Sequence, residues 1–313
     1  MKPIITLTLN PTIDGSASAE VVQPLRKIRT TDERYHPGGG GINVARVVQE
    51  LGGQALAIYL VGGPTGAILD GLLQTAGIAC KRIAITGYTR IAHTVFERSS
   101  GQEYRFVPEG PEVSADEWET CLAALEALDF DYVVASGTLP RGLAVNAYQR
   151  VSEIAVRKHA RFILDTSGAA LRDTLHHGVF LIKPNLGELE ELVARSLRDT
   201  NAQVAAARDL IASKAAEIVA VTLGADGALL VSEDEAWRAV TPPVRAQSAV
   251  GAGDSFVGAI TLALAQGRHL DAALAYGVAA GTAAVLSPGA ELSRAEDVER
   301  LYTERLPTIA RIA

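Results

Sequence analysis

Short apolar runs alternate with helix-period segments through most of this chain, and that alternation constrains the fold more than any single motif. Past Pro111 a helical pattern over Ala115–Leu128 leads to an apolar run, Tyr132–Ser136. Val145–His159 leads to Arg161–Asp165, and a short helix near Ala169–Leu175 leads to Phe180–Lys183. Helices over Leu186–Arg195 and Ala202–Ala215 lead to Ile218–Thr222, followed by a hairpin through Ala228–Val231 and Ala236–Val240. Helices over Ala252–Gln266, Leu270–Leu286 and near Ala295–Glu304 complete the pattern. Strands covered on both faces read as continuous apolar runs, so the chain is expected to be α/β, with a central, mainly parallel sheet flanked by helices on both faces.

The N-terminal third starts the same way, with strand Ile4–Leu9, helix Ile42–Leu51, strand Ala55–Val61 and helix Thr65–Ala76. Two segments break the rhythm. Residues 16–36 have no helical period, and residues 81–107 read as strands Lys81–Ile85, Ile91–Arg98 and Glu103–Val107, with a turn at Ser99–Gln102. These insertions predict a small β-sheet lid over the strand ends of a single domain spanning residues 1–313.

Composition excludes several classes. A net charge of −7 argues against a general nucleic-acid binder. Cys80 and Cys121 lie too far apart in sequence for a paired metal motif and are expected as reduced thiols, and the six His show no ligand spacing. No run of 18 apolar residues predicts a membrane span, and the alternating N-terminus reads as a strand rather than a signal peptide, so the cytoplasm is the expected compartment.

There is no Gly-x-x-x-x-Gly-Lys-Ser/Thr loop, and Asn43 stands where a dinucleotide fingerprint needs its third glycine. Gly251-Ala252-Gly253-Asp254 instead runs directly into a helix pattern. Free amides and the positive end of the helix dipole meet there, which suits an anion. Asp254 reads either as a helix cap or as a base accepting a hydroxyl proton beside a transferring phosphoryl group. Gly38, Gly39, Gly40 and Gly41 precede a second helix, and read as a tight turn or as a bare backbone surface for a polar substrate, with Asn43 and Asp14 bonding its hydroxyls. Asn185 and Glu188, three apart at a strand end, read as a capping box, as a water-mediated Mg²⁺ site, or as both. Lys27, Arg90 and Arg105, in the insertions, are solvated cations or forks for a substrate phosphate.

The ordered set resembles the ribokinase-like (PfkB-type) sugar kinases over nearly the whole chain: Asp14, the glycines near 39 with Asn43, Asn185-x-x-Glu188, Thr222-Leu223-Gly224-x-x-Gly227, and Gly251-Ala252-Gly253-Asp254. Thr6–Pro11, Pro37–Arg46, Gln102–Val107 and Ser136–Pro140 carry a nearer likeness to the bacterial type 2 6-phosphofructokinases. The resemblance implies ATP as donor, Mg²⁺ as required ion and fructose 6-phosphate as acceptor. It implies Asp254 as base and Gly251, Ala252 and Gly253 as anion hole. Asp14, Lys27, Gly38, Gly39, Gly40, Asn43, Arg90, Arg105 and Thr138 would surround the sugar phosphate. Lys183, Asn185, Glu188, Thr222, Gly224 and Gly227 would surround ATP, with Asn185 and Glu188 reaching Mg²⁺ through water. A K⁺ site would use backbone carbonyls near Ser248, Val250, Ala284 and Gly289. The lid resembles one that also forms a homodimer contact. Ser248-Ala249-Val250 lacks one hydroxyl that relatives often carry near ATP, and Ser287 and Glu291 depart from the pattern around the K⁺ site. Tagatose 6-phosphate kinase and 1-phosphofructokinase stay open as alternatives, as does, more remotely, a non-catalytic sugar-phosphate sensor.

Overall fold

The computed structural model describes residues 2–287, 291–304 and 308–312. The chain forms β1 (Ile4–Thr8), β2 (Thr12–Ala19), β3 (Thr31–Gly38), α1 (Gly40–Glu50), β4 (Ala55–Val61), α2 (Gly63–Thr75) and β5 (Cys80–Ala84). Then come β6 (Arg90–Glu97), β7 (Gln102–Phe106), α3 (Ala115–Glu126), β8 (Tyr132–Ser136), α4 (Ala147–Arg157), β9 (Arg161–Asp165), α5 (Gly168–Thr174) and β10 (Leu181–Ile182). The rest comprises α6 (Leu186–Val193), α7 (Thr200–Ala212), β11 (Ile218–Thr222), β12 (Ala228–Val231), β13 (Ala236–Val240), α8 (Ala252–Ala265), α9 (Leu270–Val285), α10 (Ala295–Thr303) and β14 (Thr308–Arg311).

Among the described residues the main sheet has ten strands, in the order β14-β13-β12-β11-β10-β9-β8-β1-β4-β5. It is parallel from β11 to β5 and antiparallel through β12, β13 and β14. Sequence order runs outward from β1 through β4 to β5, then resumes on its other side at β8. The order therefore reverses between β1 and β8, and ligand crevices form at such points, outside the carboxyl ends of the strands.

Helices cover both faces, as the alternation predicts. One core layer joins Ile5 and Leu7 of β1 to Trp118, Leu122, Val151, Leu171, Leu189 and Val204 of α3 to α7. The other joins Ile4 to Val44, Val48, Phe256, Ile260, Tyr276 and Val298 of α1, α8, α9 and α10. Period-2 alternation along β1 thus feeds both layers. Helix α8 is buried almost all round, and small residues let it approach α1 closely. A Cβ on Gly258 would lie 2.8 Å from Val47 Cγ1. Asp254 and Asn43 each lie one turn earlier on the same faces, so this contact sets their separation.

The break in rhythm corresponds to a four-stranded sheet, β3-β2-β6-β7, with Thr12 paired to Arg90 and Asp14 to Ala92. The expected insertion beginning at residue 81 is corrected by one strand. Cys80–Ala84 pairs parallel with Ala57–Val61 at the edge of the main sheet, and the small sheet resumes only at Arg90. Edge strands are half-exposed, so β5 alternates like the small sheet and its pattern does not tell the two apart. Strand β14 is four residues long, too short to show a period, and pairs with β13. Cys80 and Cys121 are both free thiols. No described helix is long and apolar enough to cross a membrane.

Candidate active site

Two cavities meet at the N-terminus of α8. A polar pocket of about 400 Å³ is lined by Asp14, Gly39, Gly40, Asn43, Arg90, Arg105, Thr138, Asp165, Glu188, Val250, Gly251 and Asp254, among others. A larger, mainly apolar cavity of about 720 Å³ is lined by Asn185, Thr222, Gly224, Gly227, Pro242, Val244, Ala252, Gly253 and Phe256, among others. Gly251 faces the first and Ala252–Gly253 the second, so the loop preceding α8 is their common wall.

Gly251 is the N-cap in the left-handed region (φ 76°, ψ −1°), and it offers no side chain to the first free amides of the helix. A carboxylate at this position is a ready cap, yet among the described residues Asp254 bonds across to α1, where Asn43 Nδ2 donates to its Oδ2 at 2.8 Å. Burial, followed by the nearby Asp165 charge, pushes the Asp254 carboxyl up to about 7, against the pull of the Asn43 bond and Lys183.

The glycine run forms a tight turn that also borders the polar pocket. Gly39 has φ 105°, and a Cβ on Gly40 would lie 2.2 Å from Ser136 Oγ, so the turn seats α1 directly over β1 and β8. Gly39 and Gly40 also line the polar pocket, and Gly38 packs under the Asp14 carboxylate. Burial raises the Asp14 carboxyl above its usual range, while Arg90, Arg46 and Arg105 pull it back.

Arg90 is held by two backbone carbonyls, through Nη1 to Pro108 O at 2.9 Å and Nη2 to Asn10 O at 2.8 Å. Arg105 reaches the same pocket from β7 with an exposed side chain. Lys27 does not join them. It is exposed in the connection between β2 and β3 and lines neither cavity. From Asp14 to the end of β2 the strand runs about 16 Å, which carries that connection to the far end of the small sheet.

Asn185, which lines the apolar cavity, and Glu188, which lines the polar one, form a reciprocal capping box on α6. The Asn185 side chain accepts from Glu188 N at 2.9 Å, and Glu188 Oε2 accepts from Asn185 N at 2.8 Å. The other carboxylate oxygen of Glu188 has no hydrogen bond among the described residues. Among the described residues no group of three or more His, Cys, Asp and Glu side chains could cage a metal. This donor set fits Mg²⁺ carried on phosphates and reached through water, since that ion keeps several waters.

Lys183 Nζ pairs with Asp165 Oδ1 at 3.0 Å, and a Cβ on Gly253 would lie 3.8 Å from the same ammonium. Burial lowers the Lys183 pKa, but Asp165, with Glu188 and Asp254, outweighs it and raises the pKa above its usual value. Asp165, which also accepts from Ser136 Oγ at 3.1 Å, escaped the sequence reading. Its signal was its place as the last residue of a parallel strand, at the ligand-binding end of the sheet. Ser248 accepts from Val250 N at 3.2 Å, and Gln247 N donates to Val285 O at 2.7 Å, docking this loop on the end of α9 that holds Ala284. Gly289 lies outside the described residues.

Comparison with known proteins finds relatives over nearly the whole chain. The model of the pfkB family of carbohydrate kinases matches residues 10–297. The chain is 45% identical over 301 residues to the ATP-dependent 6-phosphofructokinase isozyme 2 of Mycobacterium tuberculosis, covering 96% of this chain and 88% of the relative. It is 32% identical over 303 residues to a 1-phosphofructokinase of Borreliella burgdorferi, covering 96% and 97%. Crystal structures of phosphofructokinase-2 from Escherichia coli, 38% identical and covering 97% of this chain and 99% of theirs, superpose with TM-scores of 0.93 (in complex with potassium) and 0.92 (in complex with fructose-6-phosphate).

Proposed function

The chain belongs to the pfkB family of carbohydrate kinases, and on that premise we propose that it transfers the γ-phosphoryl group of ATP to the 1-hydroxyl of fructose 6-phosphate. The observation that carries this reading is the meeting of the two cavities at Gly251–Asp254. The apolar cavity has room and apolar lining for the base of a nucleotide. The polar one offers Arg90 and Arg105 for a phosphate, and Asp14 and Asn43 for hydroxyls.

The sugar sits with its hydroxyl toward Asp254, which takes the proton as the oxygen bonds to the γ-phosphorus and the bond from that phosphorus to the bridging oxygen breaks, releasing ADP. The free amides of Gly251, Ala252 and Gly253, with the Lys183 ammonium beside them, face the oxygens of the transferring group. Asn185 and Glu188 would hold Mg²⁺ through its waters, and the ion would supply charge neutralisation on the donor phosphates. The docking of the 247–250 loop on α9 supports a K⁺ site near Ser248, Val250 and Ala284. A homodimer contact is assigned to the small sheet, whose exposed Tyr35, Phe96 and Phe106 present apolar surface.

Steady-state kinetics on three acceptors tests the assignment. The highest kcat/KM is expected on fructose 6-phosphate. The highest value on fructose 1-phosphate overturns it in favour of the 1-phosphofructokinase reading, which the 32% relative supports. The highest value on tagatose 6-phosphate overturns it equally.

A further inference from the structure

Arg46 lies on α1, one turn beyond Asn43, and its Nη1 donates to Asn43 Oδ1 at 3.2 Å and to Pro37 O at 3.0 Å. Asn43 is only 7% exposed, and its other side-chain atom, Nδ2, donates to Asp254. A guanidinium has only donors and an ionised carboxylate only acceptors, so these two neighbours permit one orientation of the amide between them. Arg46 does not line the polar pocket. It opens instead onto a separate cavity of about 390 Å³ behind α1, lined also by Gln49, Glu50, Glu291 and Arg294. It therefore reaches the site only through Asn43 and through its charge.

We propose that Arg46 is a positioning residue that locks the Asn43 carboxamide with its NH₂ toward Asp254, and so leaves Asp254 Oδ1 as the oxygen that receives the sugar hydroxyl proton. The inference rests on the phosphoryl-transfer reading above. Without Arg46 the amide is free to flip. Its oxygen would then meet the carboxylate as a second acceptor, and the proton would stay on Asp254 to higher pH. The other charges around Asp254 are Asp14 on β2, Asp165 at the end of β9 and Lys183 after β10, with Arg90, Arg105 and Glu188 lining the same pocket. The two acids oppose ionisation and Lys183 favours it. The field of Arg46 acts between Asp14 and Asp254, and both carboxylates in turn favour its charged form against the burial that lowers its pKa.

The test titrates Asp254 directly, in protein labelled with ¹³C at the aspartate carboxyls, with its resonance identified by loss in Asp254→Asn. Arg46→Gln is expected to raise the midpoint by about one unit and to move the acid limb of kcat/KM upward equally, with KM for ATP unchanged. Arg46→Lys keeps the charge but not the fork. Its midpoint should stay in place while the plateau kcat falls by about tenfold. In an Asn43→Ala background, Arg46→Gln should cost little more. A folded Arg46→Gln protein with an unmoved midpoint, or with a loss equal at every pH, overturns the proposal. If Arg46→Gln does not fold, wild-type turnover in Arg46→Lys overturns it. A wild-type chain that phosphorylates no sugar phosphate sinks the functional reading instead, and the titration still decides the role of Arg46.

Discussion

Lys183 Nζ lies 3.0 Å from Asp165 Oδ1 with the two side chains only 9% and 15% exposed, which makes this an ion pair nearly closed to solvent at the adjoining ends of β9 and β10. Such a pair contributes little against an apolar replacement of both partners. Removing one partner strands the other, at a cost of about 3–5 kcal/mol. Lys183→Met should therefore lower the urea midpoint sharply, and Asp165→Asn in the same chain should recover part of the loss. Both variants should be deficient in turnover, since the ammonium also faces the Gly253 backbone. A Lys183→Met protein of wild-type stability would show that the pair is relaxed by water in solution.

Asp254 carries a conflict between stability and activity. Burial and Asp165 lift its carboxyl from 3.8 to about 7. Between those values the native state keeps a proton that the unfolded chain releases, so this group makes stability fall as the pH rises through that window. The full effect above pH 7 is on the order of 4 kcal/mol. Asp254→Asn removes it and keeps the acceptor oxygen for Asn43. The expected result is a higher Tm than wild type at pH 8, a difference that shrinks toward pH 4, and a kcat lowered by about 10³-fold or more while ATP still binds. For the wild type, kcat/KM should drop as the pH falls below about 7, because the base must be ionised. Turnover unchanged in the variant would remove Asp254 from its role.

Gly253 separates the demands of folding from those of chemistry. It is the second residue of α8, its φ is not in the left-handed region, and the nearest atoms to an added Cβ are Lys183 Nζ at 3.8 Å and Cε at 3.9 Å. The fold thus has room for alanine there, and alanine is worth up to about 1 kcal/mol more than glycine within a helix. Gly253→Ala should melt no lower than wild type. Its methyl group projects beside the ammonium into the space a phosphoryl oxygen needs, so kcat should fall by about 10²-fold. Equal loss of Tm and kcat would mean that the glycine is structural.

The parts of this molecule that sequence made legible are those set by local pattern. The alternation after Pro111 predicted each strand from Tyr132 to Val240, and the bare turn before α8 was visible because Gly251 and Gly253 stand directly at a helix start. What stayed hidden depends on pairing at a distance. Asp165 looked like the ordinary end of a strand until Lys183 lay beside it, and Arg46 looked like a polar residue on an amphipathic helix until Asn43 and Asp254 lined up behind it. Lys27 lines neither cavity of its own chain, since a basic residue in an insertion carries no information about which end of the strand it will occupy. The strand expected at Lys81–Ile85, observed at Cys80–Ala84, was assigned to the wrong sheet because both sheets offer half-exposed edges.

Arg90 and Arg105 line one pocket but are held so differently that their substitution should separate binding from folding. Arg90 bridges Pro108 O and Asn10 O and so ties the small sheet to the end of β1, while its buried Nε has no partner among the described residues. Arg90→Ala leaves two carbonyls without their donor and takes a cation from beside Asp14, costing about 1–3 kcal/mol of stability besides substrate affinity. Arg105 is exposed, and a solvated side chain on β7 can be truncated within about 0.5 kcal/mol. If both forks grip the 6-phosphate, each alanine variant should raise KM for fructose 6-phosphate by about tenfold or more with KM for ATP unmoved. Only Arg90→Ala should also lower Tm. A rise in KM confined to Arg90→Ala, scaling with its loss of stability, would place the phosphate away from both arginines and leave Arg90 as the strut between the two sheets.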